Sequence, residues 1–241
     1  MLNDDDTIGR ILSRREALAL LGASGVALLA GRPLRAQQPS TGRVCVVRPE
    51  QTEGPYFVDE RLHRADIRSD PTNGVTSVGL PLTLAFSVAR LAADRCVPLA
   101  GAYVDVWQCD AAGVYSGVRD PQFDTSARKF LRGYQVTDAE GMARFTTIYP
   151  GWYPGRAVHI HFKVRSAPDA RPGFEFTSQV YFDEAVTDAA HARAPYAVRG
   201  TRTVRNDRDG IFRRQGGKDL MLDVRTAGDG YAGTFALALT T

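Results

Sequence analysis

The sequence predicts an all-β fold: an antiparallel β-sandwich with long loops and an N-terminal extended arm. Three observations carry this. Short runs of alternating apolar and polar residues recur, turn residues separate them, and one short segment near 187–193 is the only helical candidate. Leu82, Leu84, Phe86 and Val88 alternate with Thr83, Ala85, Ser87 and Ala89, the pattern of a half-buried strand. Residues 102–108 form the next, with Val104 and Val106 on one face and Tyr103, Asp105 and Trp107 on the other. Strands at 134–137 and 143–148 flank Asp138-Ala139-Glu140-Gly141, which reads as a hairpin turn. Strands at 158–165, 177–182, 220–224 and 231–239 complete the set, and the Pro-, Asp- and Arg-rich stretch 48–73 reads as an arm wrapping the sandwich.

The chain has 241 residues, 44% hydrophobic and 24% charged, enough for one domain with a full core. Net charge is only +3, and no basic block is interleaved with aromatics, so no nucleic-acid partner is expected. Residues 1–36 stand apart. Ser13-Arg14-Arg15 precedes an apolar Ala/Leu/Gly-rich run over 17–30, then Leu34-Arg35-Ala36 and a polar Gln37-Gln38-Pro39-Ser40. That is the layout of an export signal, and its adjacent arginines make it similar to the twin-arginine type. The expectation is an exported protein, handled by the export machinery, with a domain spanning 37–241. Cys45, Cys96 and Cys109 allow one disulfide and one free thiol in an oxidising compartment, and the sequence leaves the pairing open.

Chemistry concentrates in IYPGWYPGRAVHIHFKV, residues 148–164. His159 and His161 lie two apart in a strand pattern, so both imidazoles project from one face, while Val158, Ile160, Phe162 and Val164 face the other way. A pair of this kind also occurs on solvated faces, and Lys163 and Arg165 continue the polar side. The rigid loop upstream favours a site: Pro150, Gly151, Pro154 and Gly155 restrict where Tyr153 points, and Arg156 adds a fixed charge. Tyr115 follows a strand end and a Gly-containing turn in VDVWQCDAAGVYSG, placed either to reach the mouth of a sandwich or, the commoner case for such a residue, to pack against its own turn.

These segments, with TSQVYFD and QTEGPYF, resemble the intradiol ring-cleavage dioxygenases, the family of the protocatechuate 3,4-dioxygenases and catechol 1,2-dioxygenases. The resemblance covers most of the chain from Cys45 to Phe212. It implies one non-haem Fe(III) ion per chain held by Tyr115, Tyr153, His159 and His161, while Tyr149 and Tyr103 fall off the ligand positions. Anionic oxygen donors suit a hard ferric ion, and imidazole is acceptable to it. The substrates implied are an aromatic diol of the catechol type and O2, with cleavage between the two hydroxyl-bearing carbons to a muconate-type diacid.

By the same matching, Tyr153 is the displaceable ligand and base, Arg156 stabilises charge on the activated ring, and Gln179 is a polar residue beside them. Pro55, Tyr56 and Trp107 match substrate-pocket positions, with Trp107 also readable as a core residue. The step from Tyr153 to His159 is shorter than is usual in the family, which leaves the pocket's outer wall and the particular diol open. One chain carries the whole ligand set and the QTEGPY segment, so a monomer or a homo-oligomer is expected. The competing expectation is an exported β-sandwich module that binds a metal or an aromatic without turnover.

Overall fold

The computed structural model describes residues 45–93 and 95–240. The segment read as an export signal, 1–36, and the expected domain start at Gln37 lie outside the described residues. Strands β1 (Pro81–Ala92), β2 (Arg95–Pro98), β3 (Tyr103–Trp107), β4 (Arg119–Asp120), β5 (Phe123–Asp124) and β6 (Arg132–Val136) are followed by β7 (Met142–Ile148), β8 (His159–Arg165) and β9 (Glu175–Tyr181). Helix α1 (Glu184–His191) and helix α2 (Gly210–Arg214) precede β10 (Val224–Ala227) and β11 (Gly230–Leu239).

The first sheet runs β10-β11-β1, and the far edge of β1 is divided between β7 and β2. The second runs β6-β3-β8-β9, antiparallel throughout, and β4 with β5 makes a separate small hairpin. In the first sheet the β1–β11 pair is parallel, registered from Leu82↔Tyr231 to Arg90↔Leu239, and the other ladders are antiparallel. Parallel neighbours need a long connection, and here most of the domain supplies it.

The two sheets meet across one aromatic layer. Phe86 on β1 lies 5.0 Å from Phe162 on β8, and Phe162 lies 5.5 Å from Phe235 on β11. Leu82, Leu84, Phe86 and Val88 are fully buried, as the alternation requires. The arm behaves as expected. It bridges His63 to Tyr134 and Asp66 to Thr146, and it buries Ile67 completely.

Three expectations are corrected. The turn at 138–141 exists, with Gly141 at φ +74° and its amide bonded to the Asp138 carbonyl, but it is no hairpin. It hands the chain from β6 in one sheet to β7 in the other. A Cβ at Gly141 would lie 2.2 Å from the Val88 carbonyl oxygen, so this corner closes against β1. The strand expected at 220–224 is a 3-10 turn (Gly217–Leu220) and a bridge from Met221 to Tyr181, with the strand itself starting at Val224. Leu220 and Leu222 are buried, and that burial produced the alternation without a ladder. The helix expected at 187–193 starts earlier because Asp183 caps the amides of Ala185 and Val186, and a second helix, α2, is capped likewise by Asp209. The disulfide joins Cys45 to Cys96, leaving Cys109 free and buried.

Truncating Phe86 to alanine removes the ring that touches Phe145, Phe162 and Phe235 at once. The expected cost is about 3–5 kcal/mol, read as a lower midpoint in denaturant with an unchanged slope.

Candidate metal centre

The site is assembled on β8. His159 and His161 are both 2% exposed and lie on the face opposite Ile160, Phe162 and Val164, which are fully buried. The register of the second sheet supplies their neighbours: His161 stands between Trp107 on β3 and Gln179 on β9, and His159 stands opposite Tyr181. Trp107 lies flat on His161, with centroids 5.0 Å apart and planes 9° apart. That stack orients the His161 ring, whose Nδ1 is buried with no hydrogen-bond partner. His159 is oriented differently. Its Nδ1–H donates to the Ala157 carbonyl at 2.6 Å, which leaves the lone pair on Nε2.

Two loops bring in the tyrosines. After β3, Asp110 accepts the amides of Ala112 and Val114 at 2.8 and 2.9 Å, and Gly113 takes φ +79°. This tight turn delivers Tyr115. It also presses against the loop carrying Tyr153: a Cβ at Gly113 would sit 2.2 Å from the Trp152 carbonyl oxygen. The outcome is a convergence on His159 Nε2. Around it stand His161 Nε2 at 3.0 Å, Tyr153 Oη at 3.2 Å, Arg156 Nη1 at 3.4 Å and Tyr115 Oη at 3.5 Å.

One lone pair on His159 Nε2 cannot serve His161, Tyr153, Arg156 and Tyr115 at once. Two phenol oxygens and two imidazole nitrogens aimed at a common point are the donor set of a hard cation, and they fit the ferric ion implied by the resemblance. Burial, reinforced by the Arg156 charge, holds His159 well below the usual imidazole range, and burial with His159 and Arg156 does the same to His161. Both imidazoles are therefore neutral and able to ligate. Burial raises the phenols of Tyr115 and Tyr153, so they keep their protons unless a cation replaces them. Among the described residues no group of three or more His, Cys, Asp or Glu side chains could hold a metal, so a cation bound here would need the tyrosines.

Arg156 is pinned on two edges. Its Nε donates to Asp209 at 2.9 Å, and its Nη2 donates to Gln179 Oε1 at 2.6 Å and to the Tyr181 hydroxyl at 3.2 Å. Burial disfavours its charge, but Tyr153, Tyr181 and Asp209 outweigh that and raise its pKa, so it stays a cation facing the donor set. Gln179 is in turn held by the Thr52 carbonyl at 3.1 Å.

Beside Tyr153 opens a cavity of about 320 Å³, lined among others by Tyr56, Asp120, Phe123 and Arg199. The Tyr56 ring stacks on Tyr115 at 4.6 Å, and its hydroxyl donates to Asp120 at 2.8 Å. Burial and the Asp120 carboxylate push the Tyr56 phenol up to about 12. Pro55 lies in the exposed turn before it. Trp107 is 1% exposed beneath His161 and does not line this cavity, so it backs the His161 ring. The tyrosines set aside from the sequence lie elsewhere: Tyr149 is buried with its hydroxyl 2.8 Å from that of Thr187, and Tyr103 stacks on Tyr134. Arg132 is 3% exposed and bonded to Ser116 and the Tyr56 carbonyl, so it clamps the arm to the loop that carries Tyr115. Asp209 and Asp120 were missed, and no local motif marks them; Tyr181 lies within TSQVYFD, where only Gln179 was singled out.

Known proteins resemble this chain in sequence and fold. The family model described as dioxygenase matches residues 52–208. An intradiol ring-cleavage dioxygenase from Tetranychus urticae is 32% identical, with a TM-score of 0.71 over 81% of this chain and 95% of that one. The chain belongs to the intradiol ring-cleavage dioxygenases. Among curated members, the chlorocatechol 1,2-dioxygenase of Pseudomonas putida is 35% identical over 104 residues, 35% of this chain and 36% of that protein. The protocatechuate 3,4-dioxygenase beta chain of Burkholderia cepacia is 36% identical over 104 residues, 39% of this chain and 44% of that one. The chain thus spans less than half the length of these two relatives.

The two tyrosine loops meet at Gly113, where a side chain has no room and φ is positive. Gly113→Ala is expected to lower the thermal midpoint by several degrees and to cut the protein's metal content, measured on the same preparation.

Proposed function

We propose that the chain is a non-haem Fe(III) intradiol dioxygenase that joins both atoms of O2 to a catechol-type diol and opens the ring between its hydroxyl-bearing carbons. The supporting observation is the convergence of Tyr115, Tyr153 and His161 within 3.5 Å of His159 Nε2, with Arg156 beside them. Ferric iron bound there would supply Lewis-acid polarisation of the diol's two oxygens. Tyr115, His159 and His161 lie fully inside and would keep their hold on it.

Tyr153 has a different place. It lines the cavity, so an incoming diol reaches its oxygen first. Released as a phenolate, that oxygen can accept a diol proton. Arg156 presents its guanidinium where negative charge develops on the ring, in a site mostly closed to water. Tyr56 offers an aromatic wall for the ring to lie against. One chain carries all of these groups, so the chemistry needs no second copy.

Export is part of the proposal. The twin-arginine-type segment at 1–36 supports it, and so does the Cys45–Cys96 disulfide, which suits an oxidising compartment. Folded export would let the metal be inserted beforehand.

Iron-loaded protein is expected to show a broad visible band from phenolate-to-iron charge transfer. Tyr115→Phe should lose most of it while circular dichroism stays unchanged. With a panel of catechol, hydroxyquinol and protocatechuate, oxygen uptake should accompany a diacid bearing both labelled oxygens from ¹⁸O2. A yellow semialdehyde product, or no uptake with any diol, would overturn the reading. Arg156→Ala is expected to reduce kcat about 10²–10³-fold with a much smaller change in KM.

A further inference from the structure

Asp209 lies far along the chain from the donor set and is completely buried. Its carboxylate is fully used. Oδ2 accepts Arg156 Nε at 2.9 Å and the Ala157 amide at 2.8 Å. Oδ1 accepts the amides of Ile211 and Phe212 at 2.7 and 2.9 Å, capping α2. The first two bonds reach the centre by separate routes. Arg156 stands beside His159 Nε2, and the Ala157 carbonyl takes the Nδ1–H that fixes the His159 ring.

We infer that Asp209 is a positioning residue of the centre, holding Arg156 and, through Ala157, His159 in register with the two tyrosines. This rests on the dioxygenase reading for its kinetic consequence. A cap needs only one acceptor oxygen, and Asp209 gives that duty to Oδ1 alone. Its other oxygen, with the negative charge, is directed at consecutive residues of the site loop. Gln179 and Tyr181 hold the Nη2 end of Arg156, but nothing else among the described residues bonds its Nε. Without Asp209 the guanidinium can swing about that remaining end, and the Ala157 peptide loses the bond that keeps its carbonyl under His159.

Two variants separate positioning from capping. Asp209→Ser keeps an oxygen able to cap α2 and gives up the bonds to Arg156 and Ala157. Asp209→Asn keeps the shape and removes the charge. In iron-loaded full-length protein, both are expected to retain the circular dichroism spectrum and the iron content, with kcat down about 10–100-fold and KM changed far less. The visible band should shift in wavelength, because the geometry around His159 relaxes. In an Arg156→Ala background, Asp209→Ser should cost little further in kcat, because its main route of action is already gone.

Wild-type kcat and an unmoved band in both variants would overturn the proposal. So would losses that multiply in full with Arg156→Ala, and so would unfolding of both variants, which would make Asp209 a purely structural residue. If the wild-type protein consumes no O2 with any diol, the functional reading fails, and the band comparison still decides the role of Asp209.

Discussion

The centre depends on one constraint, the two-residue period of β8 held in a single register. A slip of one residue against β3 or β9 would send both imidazoles into the core and Ile160, Phe162 and Val164 into the site. What forbids the slip is apolar. Phe162 packs against Phe86, Phe176 and Phe235, and exposing it would cost on the order of 2–3 kcal/mol for that side chain alone. The apolar face therefore decides where the polar face points. The same register sets Trp107 and Gln179 on either side of His161 and Tyr181 opposite His159.

The polar face is expensive, and its structure shows how the expense is met. Burying Arg156 and Asp209 takes two charges out of water, which alone would oppose folding. Every edge of the pair is engaged, by Gln179, Tyr181, Ala157 and the first amides of α2. Asp209 stays below the usual carboxylate range although burial pushes it up, because the Phe212 amide, the Arg156 charge and the Ala157 amide together outweigh burial. The donor set is the opposite case. Its nitrogens and phenols crowd one acceptor, His159 Nε2, and β8 and the two loops hold them there from behind.

Much of this was legible in the chain. The alternation at 82–88 and 158–165 marked β1 and β8 and put His159 and His161 on one face, while Tyr115, Tyr153, His159 and His161 came together as one set only through the resemblance to the family. Asp209 was not legible, because its partners Arg156 and Ala157 are distant in sequence and an aspartate before a glycine reads as an ordinary turn residue. Tyr181 looked like one more strand aromatic until the register set it opposite His159. The strand expected at 220–224 failed because burial alternates there for a reason other than pairing. The turn at 138–141 was read correctly as a turn, yet no local signal says whether the strands flanking it share a sheet.

The arm carries a mechanical consequence. From Cys45, tied to Cys96 on β2, it bridges Val47 to Ala238 on β11 and then bonds Gln51 to Thr177 on β9 before it reaches Tyr56. It works as a strap buckled to one sheet and laced to the other, and Arg132 holds the Tyr56 carbonyl where the strap meets the mouth of the cavity. The mouth itself is walled by loops and the β4–β5 hairpin, with Tyr56 facing a wall that includes Asp120, Phe123 and Pro154. Tyr56 thus sits at the end of a segment fastened to both sheets, so the placement of one wall residue inherits the fastening of the whole arm.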